Sequence, residues 1–341
     1  MKAVVIPEVN GSWELRDVPD PQPGPGEVLI RIHACGICYN DVLSAQGAIP
    51  FPMCNPAIPG HEPVGVIAEV GAGVTSRVVG DRVGVTWVRS GCGRCDYCQR
   101  QLPTTGQTAF HCAGGATATG FSVSGGHAEY LVSAAADTVL LPDGISFEHA
   151  APIMCAGYTA WSALRAANPQ PRDRIAVVGI GGLGHLAVQF SRACGYETVA
   201  VTSSPDKHEL ARELGADIVV SSGEQLAAAG GADIVLAMMP SFQAATDCLQ
   251  GLRVNGRLVL SGIDPAAPFV IPPASVYPFF AQRQQIIGST HNGLQYLKEA
   301  LDMVAAGLVT PHVETFAADQ IGEAVDKVTK GEVRFRAVVN Y

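Results

Sequence analysis

Three cysteines, Cys92, Cys95 and Cys98, stand at three-residue intervals in Cys92-Gly93-Arg94-Cys95-Asp96-Tyr97-Cys98. Thiolates repeated this closely on a glycine-containing loop suit a metal ion better than a disulfide. Cys112 would complete a tetrahedral four-sulfur zinc site, and His111 is the other candidate for the fourth place. Four protein ligands leave no open position, so such a site is structural. A second group is dispersed: Cys38 in Cys35-Gly36-Ile37-Cys38-Tyr39-Asn40-Asp41, His61 and Glu62 in Gly60-His61-Glu62, and Cys155. Two cysteines and a histidine are a recognised ligand set for catalytic zinc, with water or substrate in the fourth position. Spacing alone does not select them from ten cysteines and nine histidines. Read blind, Cys155 is a buried helix thiol and His61 a polar core residue.

A third motif is Gly179-Ile180-Gly181-Gly182-Leu183-Gly184. Alone it is weak, because 38 glycines make chance matches common. Its context strengthens it: an apolar strand precedes it, a helix follows, and a second strand comes about twenty residues on. Gly179 permits a tight turn, Gly181 lets backbone N–H groups approach a pyrophosphate, and Gly184 allows close helix–sheet packing. The end of the second strand then selects the cofactor. An NAD site places an acid there for the ribose 2′-hydroxyl. Here the segment is Thr202-Ser203-Ser204-Pro205-Asp206-Lys207, with Thr202 where the acid belongs. Small hydroxyls and an ammonium suit a 2′-phosphate, which predicts NADP(H) over NAD(H). Asp206 beside Pro205 reads as the first turn of the next helix, where acids are common.

These motifs need elements to carry them. A chain of 341 residues suggests two domains at ~150 residues each. Residues 1 to about 150 read as an all-β barrel or sandwich, with short β-branched runs at Val28–Ile32, Val64–Val70, Arg82–Val88 and His127–Val132 between Gly/Pro turns. From Arg174 to Gly288 short apolar runs alternate with helical segments, which predicts βαβ units and a doubly wound parallel sheet. Ile286–Gly288 is its sixth strand. The tail reads as a helix from Leu294 to Ala306, a loop, a helix near Ile321–Val328 and a strand over Arg334–Asn340, returning to the first domain.

With 48% hydrophobic and 16% charged residues the chain can bury a sizeable core. Its formal charge of −9 argues against nucleic-acid or anionic-membrane partners. No apolar run reaches the ~20 residues that span a bilayer, and the N-terminal apolar run is too short for a signal peptide. A cytoplasmic protein is expected.

The chain resembles the zinc-dependent medium-chain alcohol dehydrogenases, nearest to the cinnamyl-alcohol-dehydrogenase-like branch. The resemblance covers essentially the whole chain. It rests on Gly60-His61-Glu62-Pro63-Val64-Gly65, Gly80-Asp81-Arg82-Val83-Gly84, the cysteine loop, Gly126-His127-Ala128-Glu129-Tyr130, Cys155-Ala156-Gly157, the glycine loop and Leu214-Gly215-Ala216-Asp217, in family order. It implies an α/β chain with a GroES-like β-rich catalytic domain over 1–152 and 287–341 and a Rossmann domain over 153–286. It implies two zinc ions per chain and a homodimer or homotetramer, with the apolar Ala266–Val276 segment pairing between subunits. Cys38, His61 and Cys155 would bind catalytic zinc, Glu62 would join it transiently, and Asp41 would orient His61. Cys92, Cys95, Cys98 and Cys112 would hold structural zinc. Thr202, Ser203, Ser204 and Lys207 resemble the branch's NADP-binding segment, and Thr159, Gly262 and Ile263 would also contact the cofactor. Trp87, Ile49, Phe51, Met239 and Ile263 would form apolar pocket walls, suiting an aromatic or medium-sized aliphatic carbonyl.

Two departures stand out. The family's fourth structural cysteine falls at Gly106 here, so Leu102–Phe110 reads as an insertion ahead of Cys112. The family's hydroxyl and histidine proton relay is replaced by Asn40 and Leu43, and an amide cannot relay a proton as a hydroxyl does. The expected reaction is reversible hydride transfer between nicotinamide and a primary alcohol or aldehyde. Its proton would travel through water, the Tyr39 hydroxyl or His291. The alternative is NADPH-dependent reduction of an activated C=C or C=N bond.

Overall fold

The computed structural model describes residues 1–50, 54–99, 112–264 and 266–341. Phe51, the Leu102–Phe110 insertion and His111 lie outside the described residues. The chain divides into two compact units. One comprises Met1–Cys155, His291–Ala305 and Pro311–Tyr341; the other comprises Ala156–Thr290 and Ala306–Thr310.

The first unit is built on the strand Glu27–Ile37, whose alternating apolar residues Val28, Ile30 and Ile32 enter the core. This strand pairs antiparallel with Glu62–Val70, Tyr130–Ala134 and Arg336–Asn340. The sheet runs Val313–Ala317, Arg336–Asn340, Glu27–Ile37, Glu62–Val70, Arg82–Val85 and Thr138–Leu140, with Tyr130–Ala134 off this path. Residues 1–150 are not all-β, because they include the helices Tyr39–Ala45, Asp96–Gln99 and Phe147–Ala150; the expected tail helices are Leu294–Ala305 and Ile321–Lys330. Two further expectations need correction. The tail segment read as a loop contains the strand Val313–Ala317, which pairs parallel with Arg336–Asn340 along its whole length. Its five residues are too few to show a periodicity, yet Phe316 packs with Ile321, Ala324 and Val339. The expected strand over His127–Val132 begins only at Tyr130, because residues 125–127 bond instead to residues 58–60.

The second unit contains a six-stranded, all-parallel sheet. Its order is Ile218–Val220, Glu197–Val201, Arg174–Val178, Ala232–Ala237, Leu252–Leu260 and Gln285–Gly288. The order reverses beside Arg174–Val178, and open α/β sheets bind ligands outside the strand ends at that point. Within the Ala266–Val276 segment a helix, Pro273–Ala281, begins, with proline in its first turn. Among the described residues, no helix is long and apolar enough to cross a membrane.

Candidate functional site

Cys38 directly follows the central strand Glu27–Ile37 and caps the helix Tyr39–Ala45. Glu62 opens the neighbouring strand, opposite Gly36. Cys155 ends the short 3-10 turn Ala151–Met154, in which Pro152 sits near the start. Three separate elements thus deliver Cys38, His61, Glu62 and Cys155 to one buried point, where one ligand atom from each lies within 4.8 Å of the others. The Cys38 and Cys155 sulfurs are 3.9 Å apart.

A single carboxylate aligns two of these residues. Asp41 accepts the Cys38 backbone N–H at 3.0 Å through Oδ2 and bonds His61 Nδ1 at 2.8 Å through Oδ1. That leaves His61 Nε2 facing the cluster, buried and without a hydrogen-bond partner. Burial alone would raise the Asp41 carboxyl, but His61 and the Cys38 N–H outweigh it and hold it below its ordinary value. Glu62 is fully buried, and its Oε1 accepts from Arg336 Nη2 at 2.5 Å. Its Oε2 has no partner. Burial pushes this carboxyl up to about 7, against the Arg336 guanidinium. Glu62 has room only because residue 36 is glycine: a Cβ there would come within 1.9 Å of Oε2. Two thiols, an orphaned imidazole nitrogen and an orphaned carboxylate oxygen, converging without a polar partner, fit a tetrahedral divalent cation.

Around this point stand aromatic rings. Trp87 and Phe121 lie 5.3 and 5.5 Å from the His61 ring, and His291 meets Trp87 edge-on at 6.0 Å. His291 Nε2 bonds the Cys155 carbonyl at 3.3 Å, and burial lowers its pKa to about 3, so it is neutral at physiological pH. Tyr39 is 43% exposed, Asn40 is half-buried, and Ile49 is half-buried beside the same helix.

The cysteine loop brings Cys92, Cys95, Cys98 and Cys112 together, again within 4.8 Å. Cys112 sulfur accepts from the N–H groups of Cys92 and Gly114 at 3.2 and 3.3 Å. Backbone N–H groups of Arg94 and Cys95 lower the Cys92 thiol to about 6. Such bonds stabilise thiolates, the form that binds metal.

In the second unit Gly179 has φ +85° and directly follows the strand Arg174–Val178. A Cβ on Gly184 would lie 1.8 Å from the Gly179 carbonyl, so only glycine closes this turn. A Cβ on Gly181 would meet nothing within 4 Å, which leaves the loop face open for a pyrophosphate at the start of the helix Gly184–Ala193. Thr202 Oγ1 accepts the Ser204 N–H at 3.3 Å, folding the segment that carries Ser203 and Lys207. Gly262 packs against Met239, a Cβ there coming 2.3 Å from its carbonyl, while Ile263 is 62% exposed. Thr159 is buried in the helix Ala156–Ala166.

The sequence reading missed Arg336 and the Phe121 ring. Arg336 had no distinguishing signal, because Arg334 stands two residues before it and its partner Glu62 lies far away in sequence. Phe121, in a glycine-rich stretch, had none.

One prediction concerns stability alone. His127 is fully buried, and burial lowers its pKa from 6.5 to about 4, opposed by Asp41. The folded value lies below the unfolded one, so the unfolded chain takes up the proton first as the pH falls. The stabilisation is complete above about 6.5 and lost towards about 4, amounting to about 3 kcal/mol. In urea unfolding over this window, the native chain should lose about that much more stability than His127→Leu.

The comparisons with known proteins agree in coverage. Residues 24–143 match the family described as "Alcohol dehydrogenase GroES-like domain", and residues 182–306 match "Zinc-binding dehydrogenase". An alcohol dehydrogenase of Geobacillus stearothermophilus is 40% identical over 99% of each chain. The NADP-dependent alcohol dehydrogenase C 1 of Mycolicibacterium smegmatis is 34% identical over 93% of this chain and 91% of its own. Among solved structures, a cinnamyl alcohol dehydrogenase from Sorghum bicolor superposes with a TM-score of 0.86 at 27% identity, covering 99% of this chain and 97% of that one.

Proposed function

The chain belongs to the zinc-type medium-chain alcohol dehydrogenases, a family of oxidoreductases, and we propose that it is an NADP(H)-preferring aldehyde reductase and alcohol dehydrogenase acting on aromatic or medium aliphatic substrates. One observation carries this reading: Cys38, His61 and Cys155 converge on a buried point where His61 Nε2 lacks any partner. These three residues would hold a zinc ion, with Glu62 as an occasional fourth ligand, and Cys92, Cys95, Cys98 and Cys112 would hold a second. Bound there, zinc supplies electrophilic pull on a carbonyl oxygen, as the nicotinamide supplies hydride.

The chain's own residues set the stage for that chemistry. Asp41 fixes the His61 ring so that Nε2 points inward. Arg336 balances the charge of Glu62 where water does not reach. Trp87 and Phe121 give an apolar face that favours a carbonyl substituent over water. The glycine loop receives the pyrophosphate, and Thr202, Ser203, Ser204 and Lys207 receive the 2′-phosphate. Lys207→Ala should therefore cut kcat/KM for NADPH about tenfold and spare NADH, because a charge-assisted contact is worth about 1.5–3 kcal/mol. Equal losses with both cofactors would refute the assignment.

Asn40 and Leu43 favour a second reading, reduction of an activated C=C or C=N bond, in which the proton goes to carbon or nitrogen and no alkoxide relay is needed. One enal with NADPH separates the two. The aldehyde-reductase reading expects the allylic alcohol as main product; the saturated aldehyde would establish the second. A homodimer is the assembly we propose. Gln285–Gly288 is a sheet-edge strand, and Val254, Tyr277 and Phe280 are 63%, 79% and 72% exposed in the same unit.

A further inference from the structure

Gly60 precedes the metal-facing His61 and has φ +101°, a left-handed backbone suited to glycine. A Cβ on Gly60 would lie 2.6 Å from His127 Cδ2 and 2.9 Å from Cys35 Sγ. The His127 ring therefore rests directly against the Gly60 backbone and forms the floor under the turn. The two segments are also tied backbone to backbone. Gly125 N–H donates to Ile58, Gly126 to Gly60 and His127 to Pro59, at 2.8, 2.8 and 3.1 Å.

The His127 ring is in turn held by Tyr341. Tyr341 Oη lies 3.0 Å from His127 Nδ1, and Trp13 contacts the ring edge-on at 5.9 Å. Tyr341 follows the strand Arg336–Asn340, its N–H donates to the His33 carbonyl at 3.2 Å, and it packs against two apolar clusters of the first unit, one around Ile37 and Val339 and one around Ile30 and Leu131. Burial keeps its hydroxyl protonated. Contacts thus run from Tyr341 to His127, Gly60 and His61, none of them through Asp41.

We infer that Tyr341 is a positioning residue for the Cys38–His61–Cys155 metal site, acting through the His127 ring to hold the Gly60 turn. The inference rests on the zinc reading above. A rigid backbone at Gly60 would keep His61 Nε2 aimed at the point shared with Cys38 and Cys155; a freed His127 ring would let the turn move. Hydrogen-bond partners that orient metal ligands change metal affinity by about 10–100-fold. Tyr341 acts at one remove, so its loss should lie near the lower end.

The test is zinc release from the loaded, full-length protein to an excess of a chromogenic chelator, which reads the metal without turnover. Cys38→Ser identifies the phase belonging to the buried site, since it should retain only the cysteine-loop phase. Tyr341→Phe keeps the ring and removes one hydroxyl. It is expected to speed the buried-site phase about tenfold and leave the cysteine-loop phase unchanged. In a His127→Leu background, Tyr341→Phe should add nothing, because the two act in series. An unchanged buried-site phase in Tyr341→Phe overturns the inference. So does equal acceleration of both phases, which is general loosening, or a full additional effect in the His127→Leu background. A native protein without any phase that Cys38→Ser removes would instead overturn the zinc reading beneath it.

Discussion

Cys38→Ser is expected to lower kcat at least about a thousandfold and to reduce bound zinc from two ions per chain to one. The sulfur lost is one of four donors gathered within 4.8 Å in a pocket closed to water. A serine hydroxyl stays protonated at neutral pH, and zinc binds deprotonated donors. The three remaining donors, His61, Glu62 and the Cys155 thiol 3.9 Å from the lost sulfur, would hold the ion more weakly. An electrophile at a carbonyl oxygen is worth several kcal/mol of transition-state stabilisation, and about 4 kcal/mol corresponds to a factor near a thousand. The four-cysteine cluster is separate and should keep its ion. Metal analysis and NADPH oxidation on a carbonyl panel check both parts. Two ions retained with activity intact would remove the buried cluster from the chemistry.

The second large effect falls on folding. Arg336 and Glu62 form an ion pair in which both side chains are at most 5% exposed. Arg336→Met would leave the Glu62 carboxyl, already pushed up to about 7 by burial, without its guanidinium partner. Removing one partner of such a pair costs about 3–5 kcal/mol, because the group left behind is desolvated and must stay charged unpaired or take up a proton. Urea unfolding of the metal-loaded protein should show a loss of that size. Adding Glu62→Gln should recover part of it, since no charge then remains buried. A loss below ~1 kcal/mol would mean that the pair behaves like an exposed one.

The parts visible in the sequence were those whose geometry is local. Cys92, Cys95 and Cys98 sit on one short loop, so spacing implies proximity. The glycines at 179, 181 and 184 serve one turn, so their order carries the meaning. By contrast, Cys38, His61 and Cys155 meet only because a strand end, a strand start and a 3-10 turn converge. Their pattern could be read only through family resemblance. Arg336 is 274 residues from Glu62, and no local signal reports so distant a partner. The strand Val313–Ala317 was hidden for a related reason: its five residues gain their identity from the parallel neighbour that follows. The apolar stretch from Ala266 shows no helical period of its own, because the helix at its end starts only at Pro273.

The discontinuity of the first unit has a consequence for the order of events during synthesis. At 5–20 residues per second, roughly 15–50 s separate the emergence of Glu62 from that of Arg336. In that interval the 156–290 stretch is complete enough to close its own parallel sheet. The earlier stretch must wait, with a carboxylate lacking its counter-ion and the central strand lacking one edge. On the zinc reading, Cys38 and His61 would then emerge before their surroundings are finished. Metal loading would be tied to the arrival of a strand that supplies none of the proposed ligands.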